Sequence, residues 1–375
     1  MVSARVVPTT LAVAFLLSAA DAVRADTATT APATTSFQSS PPAPPPQSQL
    51  PTFLTDGWDV SIWGWTGYYY VTPSDQSSIW IVQGAVNVTK TIAPNIAATV
   101  EASIYDTNYH SKAMLEQAYV SILLSDKYQT LLTAGRFDSS FGVEPRDFWD
   151  RLTGSASLLF GAQPQQLTGA MITQPIGRTG FSVKPFVTAG FQDANVPESP
   201  SVGVTLDYSP HKTFQIAATN WFGPGFVWGE PANGGYYASS TPIENWWGPS
   251  LDAVNGGSLY FLDVKAIWRP VPELMLAGEY LYANSFSSKG NFEWDGVMFL
   301  VNYDFNDRFR VWGRWSFLND PAWIVTGAIQ RRNEISVGVA YQFYRNFETR
   351  FEYRHDFSTA LPDQDVFSVH LSFGF

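Results

Sequence analysis

The sequence predicts an all-β fold, a transmembrane antiparallel up-and-down β-barrel of about sixteen strands, or about fourteen if one hairpin is lost. The last segment alternates strictly: Phe367, Val369, Leu371, Phe373 and Phe375 share one face, and Ser368, His370, Ser372 and Gly374 share the other. From Trp58 onward the chain breaks into segments of about ten residues with the same period of two. The connections between them alternate between longer and shorter, as a barrel with tight turns on one side of a membrane and long loops on the other requires. A soluble sandwich has no reason to keep that parity.

Taken in order, the chain begins with Arg5 and an apolar run of ten residues, Leu11 to Ala20. The run is shorter than the ~20 residues a helix needs to span a bilayer. Small residues at Ala20-Asp21-Ala22, and again at Val23-Arg24-Ala25, fit cleavage, so residues 1–25 read as a secretory leader. Residues 26–57 read as a periplasmic spacer. From Asp26 to Pro51 it is rich in Thr, Ala, Ser, Gln and Pro, with Pro41-Pro42-Ala43-Pro44-Pro45-Pro46 at its centre. Such a stretch has little to bury and stays extended, with cell-wall contact as a further reading. Residues 58–375 are then the barrel.

Composition agrees with this division. The chain has no cysteine, so no disulfide holds it, and 15 % of its residues are aromatic, with 14 Trp, 17 Tyr and 27 Phe. Membrane barrels use such rings as girdles at both interfaces. The net charge of −11 argues against a nucleic-acid partner.

Strands are expected near 58–70, 79–89, 94–105, 113–124, 128–137, 166–174, 181–191 and 201–209, then 212–221, 258–269, 272–283, 294–303, 308–318, 333–343, 346–356 and 365–375. The pattern is poorest in 113–124, where both faces carry apolar residues, and in 166–174. Short connections are expected at Ser125-Asp126-Lys127, Pro210-His211, Pro270-Val271 and Tyr344-Arg345, and long ones at 138–165, 222–257, 319–332 and 357–364. Both ends of the barrel then fall on the periplasmic side.

Alternation also assigns the charges. In 346–356, Glu348, Arg350, Glu352 and Arg354 oppose Phe347, Phe351 and Tyr353; in 308–318, Arg308, Arg310 and Arg314 oppose Phe309, Val311, Trp315 and Phe317. Arginine facing lipid at mid-bilayer would cost about 2–4 kcal/mol, so the charged face looks into the lumen. By the same test Glu101, Glu116, Arg136, Lys184, Asp207, Asp263, Lys265, Glu279 and Glu334 are pore-lining. A ring of sixteen strands is too wide for wall side chains to fill, which favours an aqueous channel over a plugged one.

Loop 138–165, the third on the external side, is long and charged. By analogy with general porins, whose third loop folds inward, Glu144, Arg146, Asp147, Asp150 and Arg151 would form a constriction; an ordinary surface loop is the alternative. Loop 222–257 carries Trp228, Trp246 and Trp247, with Trp221 at its root. These rings suit either a saccharide track or an anchor at the interface. Acids collect in the loops (Asp193, Glu198, Glu230, Glu244, Asp252 and Asp363), which suggests a mild cation preference.

The order Leu115-Glu116-Gln117-Ala118-Tyr119-Val120, Leu132-Thr133-Ala134-Gly135-Arg136-Phe137, Phe141-Gly142-Val143-Glu144, Ser157-Leu158-Leu159-Phe160, Gln163-Pro164 and Gly169 resembles the OmpL-like β-barrel porin family, β-barrel porin type 2. Glu116, Tyr119, Gly135, Arg136, Gly142, Glu144 and Pro164 match its pattern. The resemblance would cover roughly residues 58–375 and implies an outer-membrane pore for small solutes with no cofactor. Ala189-Gly190-Phe191-Gln192-Asp193 stands where the family usually has an Asn-Gly-Trp-like motif. Independently of the family, Arg136 is placed to pair with Glu116 and pin the root of the loop.

No enzyme is expected. Among the four histidines, His110, His211, His355 and His370, only His370 has serines beside it on a lumen face, Ser368 and Ser372, and no third group is evident to orient its ring. No metal-ligand cluster or phosphate loop appears either. The function expected is a porin passing small hydrophilic solutes or ions across the bacterial outer membrane. The alternative is a closed structural or adhesive barrel acting through its long aromatic loops. Outer-membrane lipid and small solutes are the expected partners. The barrel-assembly machinery is another, through Phe367, Val369, Leu371, Phe373 and Phe375.

Overall fold

Period-two patterning becomes sixteen strands: β1 (Trp58–Thr72), β2 (Gln76–Ala93), β3 (Ile96–Thr107), β4 (His110–Ser125), β5 (Thr130–Asp138), β6 (Gln166–Pro175), β7 (Phe181–Thr188), β8 (Ser201–His211), β9 (Phe214–Pro224), β10 (Ser258–Val271), β11 (Leu274–Ser287), β12 (Gly290–Asn306), β13 (Phe309–Asp320), β14 (Gln330–Tyr344), β15 (Phe347–Ser358) and β16 (Gln364–Gly374). The computed structural model describes residues 57–72, 76–107, 110–189, 200–224, 258–287, 290–321, 330–359 and 362–375. The expected leader, nearly all of the spacer, the tryptophans of loop 222–257 beyond Trp221, and Asp193, Glu198, Glu230, Glu244 and Asp252 lie outside them.

Each strand pairs antiparallel with its sequence neighbours, and β16 closes the ring on β1, with Trp63 opposite Gly374 and Thr72 opposite Asp365. Closure removes both sheet edges, so every strand can meet lipid with its backbone paired. The even-numbered strands β2 to β14 end in the short connections. All four named above fall later than expected: Ser125, Pro210-His211, Pro270-Val271 and Tyr344 belong to β4, β8, β10 and β14, and the connections are 126–129, 212–213, 272–273 and 345–346. Strand β7 ends at Thr188 rather than near 191.

The outer face is apolar. Ile62, Val100, Leu206, Phe299, Val301, Phe351 and Val369 are all exposed there. At the end with the short turns, rings pack edge-on or tilted along the rim: Tyr303 against Phe305 at 4.8 Å, Phe305 against Phe309 at 5.5 Å, and Phe347 against Phe373 at 6.0 Å. This is the girdle the composition anticipates.

Strand β4 departs from alternation for a local reason. Glu101 of β3 faces Gln117, and Ala102 faces Leu115, so Glu116 is the extra residue of a β-bulge. Glu116 and Gln117 are consequently both buried on the inner side. The bulge moves every later residue of the strand to the opposite parity, which is why both of its faces read as apolar.

Candidate functional site

Loop 139–165 folds into the barrel. It touches inward-facing side chains of β1, β3, β4, β10, β11 and β13–β16, which only a segment inside the lumen can reach. Three seats hold it.

The first seat is built from β3, β4 and the end of β5. Arg146 of the loop lies 2.5 Å from Glu101, 2.8 Å from Glu116, 3.1 Å from Asp138 and 2.8 Å from Asp147. The bulge makes this geometry, because it also turns Gln117 inward. Gln117 donates to Glu101 at 3.0 Å and to Asp138 at 3.1 Å. Four carboxylates surround one guanidinium, so the seat keeps an excess of negative charge. Nearby Asp150 feels it: burial, then Asp138 and Glu101, push its carboxyl up to about 6.

The second seat is built from β13, β14 and β15. Arg314 bonds Glu334 at 2.5 Å on the wall and Glu144 of the loop at 2.7 Å. Burial raises the Glu144 carboxyl, but Arg314, Arg151 and Ser157 outweigh it and hold the group below its ordinary value. Arg350 donates to the carbonyls of Phe148 at 2.9 Å and Thr153 at 3.1 Å. Its guanidinium also lies 4.6 Å over the Phe148 ring, whose other partner is Trp65 of β1, stacked at 4.1 Å. Arg151 stays within the loop, donating to Pro145 and Arg146 carbonyls and lying 4.5 Å over Phe160.

The third seat, on β10 and β11, uses Asp263, Lys265 and Glu279. Asp263 accepts the Gly142 N–H at 3.2 Å, Glu279 accepts the Val143 N–H at 2.7 Å, and Lys265 donates to the Gly142 carbonyl at 2.5 Å. Beyond it the loop makes one helical turn, Leu158–Gly161, capped by Ser157. Its Leu159 is buried in an inward apolar layer with Trp221, Phe261, Leu281, Trp294, Met298 and Leu318. Charge patterning did not reveal this layer. The signal was nonetheless present, since β12 is apolar at Trp294, Met298 and Leu300 as well as at Val297, Phe299 and Val301. A strand apolar on both faces has its inner face covered.

A cavity of about 320 Å³ lies between the loop and the wall of β7–β12. Asp138, Asp147 and Asp150 border it on one side, and Lys184, Asp207, Lys265 and Arg269 on the other. Lys184 and Asp207 stand 3.7 Å apart.

The expected lining residues therefore divide. Lys184, Asp207 and Lys265 border the cavity. Glu101, Glu116, Glu279, Arg314, Glu334, Arg350, Glu352 and Arg354 face inward but are covered by the loop and each other. Arg310 and Glu348 pair at 2.8 Å nearer the short turns. Arg308 is not on a strand at all: it sits exposed in the two-residue turn 307–308, because β13 starts one residue later than expected. Arg136 donates to the Glu116 carbonyl at 2.9 Å and to Gln166 at 2.7 Å, while the Glu116 carboxylate meets Arg146. Of an open or a loop-narrowed lumen, the two forms expected, the inward fold of the loop fits the second.

At the last strand Phe367, Val369, Leu371 and Phe375 are exposed outward, and Phe373 is half-buried beside Phe347. His370 is wholly buried on the inner side, 2.9 Å from the Ser368 hydroxyl and 3.3 Å from the Tyr69 hydroxyl. A phenol, not a carboxylate, sits on its second nitrogen.

A family model described as "Putative beta-barrel porin-2, OmpL-like" matches residues 71–373. No curated protein matches the chain. Among solved structures, the outer membrane channel DcaP of Acinetobacter baumannii superposes with a TM-score of 0.60 at 8 % identity, covering 85 % of this chain and 97 % of that one. An anion-selective porin from Comamonas acidovorans gives 0.59 at 10 %, covering 85 % and 100 %. OmpT of Vibrio cholerae gives 0.59 at 11 %, covering 85 % and 97 %. At such identities these structures share the fold.

Proposed function

The chain belongs to the beta-barrel porin-2, OmpL-like family, and from that premise we propose that it is a loop-narrowed outer-membrane porin for small hydrophilic solutes or ions. The observation that carries the reading is the cavity of about 320 Å³, where the third loop meets a wall that still presents Lys184, Asp207 and Arg269. Loop residues Glu144, Arg146, Asp147, Asp150 and Arg151 set the constriction by seating the loop rather than by facing one another across an aperture. Excess carboxylates around Arg146 support a mild cation preference. Passage is the activity and catalysis is not, because Ser368 and His370 are buried under the loop without an acid to orient them. The leader directs export, and the terminal aromatic strand serves assembly.

The test is single-channel recording of the refolded chain, lacking residues 1–25, in a planar bilayer with potassium chloride. Small discrete steps, with reversal potentials displaced toward the cation, are expected. Silence from folded protein would favour a closed barrel instead.

A further inference from the structure

We propose that the inner wall carries a binding site for a peptide main chain bent in a turn, and that the third loop is the ligand resident in it. Beside the ion pairs of Arg146 and Glu144, a second set of contacts seats the loop by its backbone. At one end, Asp263 and Glu279 take the N–H groups of Gly142 and Val143, and Lys265 gives a proton to the Gly142 carbonyl. At the other end, Glu352 accepts from the Gly154 N–H at 2.7 Å and the Ser155 N–H at 3.0 Å. Between these points Arg350 donates to the carbonyls of Phe148, Trp149 and Thr153. At these points wall acids meet N–H groups and wall bases meet carbonyls. Charge-assisted bonds of this kind are strong, and backbone groups are common to every peptide.

Two features define the ligand further. A Cβ on Gly154 would lie 2.8 Å from the Glu352 carboxylate, so a larger residue there has to displace it. Six residues earlier, Phe148 fills the slot between Trp65 and Arg350. The class of ligand is thus a peptide that turns as Asp147 to Arg151 do here, with an aromatic side chain at the turn and a small residue six positions on. A tethered loop competes at an effective concentration of roughly millimolar, so a free peptide gains the site only when the loop is absent or released.

The fold permits the experiment. The Ser139 N–H bonds the Gln165 carbonyl at 2.9 Å, and the Ser139 hydroxyl bonds the Pro164 carbonyl at 2.6 Å, so the two ends of the loop are adjacent. A full-length chain in which a two-residue turn replaces residues 141–162 would expose the site. The probe is a fluorescent synthetic peptide of residues 141–156, and binding is read by anisotropy in detergent, so the result stands whether or not the barrel conducts. Saturable binding to the shortened barrel is expected, with intact protein binding about 100-fold more weakly. A peptide N-methylated at Gly154 and Ser155, which cannot donate to Glu352, should bind at least about tenfold more weakly. A folded shortened barrel that ignores the peptide, or binds the methylated form equally, overturns the proposal. Should the shortened chain fail to fold, Glu352→Gln in the complete chain takes its place. Tryptic cleavage at Arg151 should then rise about tenfold over wild type, and unchanged cleavage overturns the proposal.

Discussion

On the arc β13–β15, Arg314 and Glu334 keep none of their side-chain surface in contact with solvent, whereas on the arc β7–β10 Lys184 keeps 24 % of its own. Arg269 on that second arc makes no side-chain hydrogen bond or ion pair among the described residues. The same alternation put all four side chains on the inside of one barrel. What separates them is the third loop, which covers the first arc and, although it is seated on Asp263 and Lys265 of β10, leaves Lys184 and Arg269 bordering the cavity. A strand pattern decides whether a charge faces lipid or lumen; a loop decides whether the lumen at that place is water or protein.

That comparison can be broken hardest on the covered arc. Arg314→Met removes the shared partner of Glu144 and Glu334 and leaves two buried carboxylates. A loss of about 3–5 kcal/mol is expected, seen as a lower unfolding midpoint in guanidinium. Loss below ~1 kcal/mol would mean that water already reaches this arc. Next in size is Arg146→Met, which leaves Glu101, Glu116, Asp138 and Asp147 facing one another. Repulsion should drive the loop off its first seat, raising protease cleavage at Arg151 and the preference for cations together; if neither moves, the seat is not what holds the loop.

The open arc should respond differently. Lys184→Gln and Arg269→Gln change groups that border the cavity without supporting the loop, so unfolding should shift by no more than ~0.5 kcal/mol. Permeability ratios should move toward cations. A large stability change without altered selectivity would erase the distinction between the arcs.

The smallest effect expected is with pH. Asp150 has its carboxyl pushed up to about 6 by burial and by Asp138 and Glu101. The seated loop therefore holds that proton more tightly than a released loop would, and seating gains as pH falls through 6 toward the ordinary carboxyl range. Cleavage of the loop by a protease active across the range should be slower at pH 5 than at pH 8, and Asp150→Asn should flatten the difference.

Strand number, parity and the direction of most charges were legible because period-two alternation responds to a local contrast between lipid and lumen. The last strand and Glu348 to Arg354 on β15 show this well. The bulge at Glu116 was not legible, since an inserted residue shifts parity without any marker residue to announce it. Arg308 was misplaced for a similar reason, as a turn of two residues can slide by one without disturbing the pattern. The seats of the loop lay beyond local pattern altogether. Glu352 meets Gly154 across almost 200 positions of chain, |i−j| = 198, and period two says nothing about such pairs. A hint remained in β12, whose inner Trp294, Met298 and Leu300 need a cover. The family resemblance read from residues 115–169 falls on the strands and loop that form the first seat.

In this reading of the channel the third loop, rather than the wall, sets the passage. Conductance of single channels, wild type against the chain with residues 141–162 replaced by a short turn, tests it most directly. The account predicts a severalfold larger conductance for the shortened chain and a weaker ion preference. Equal conductance from two equally folded barrels would contradict it.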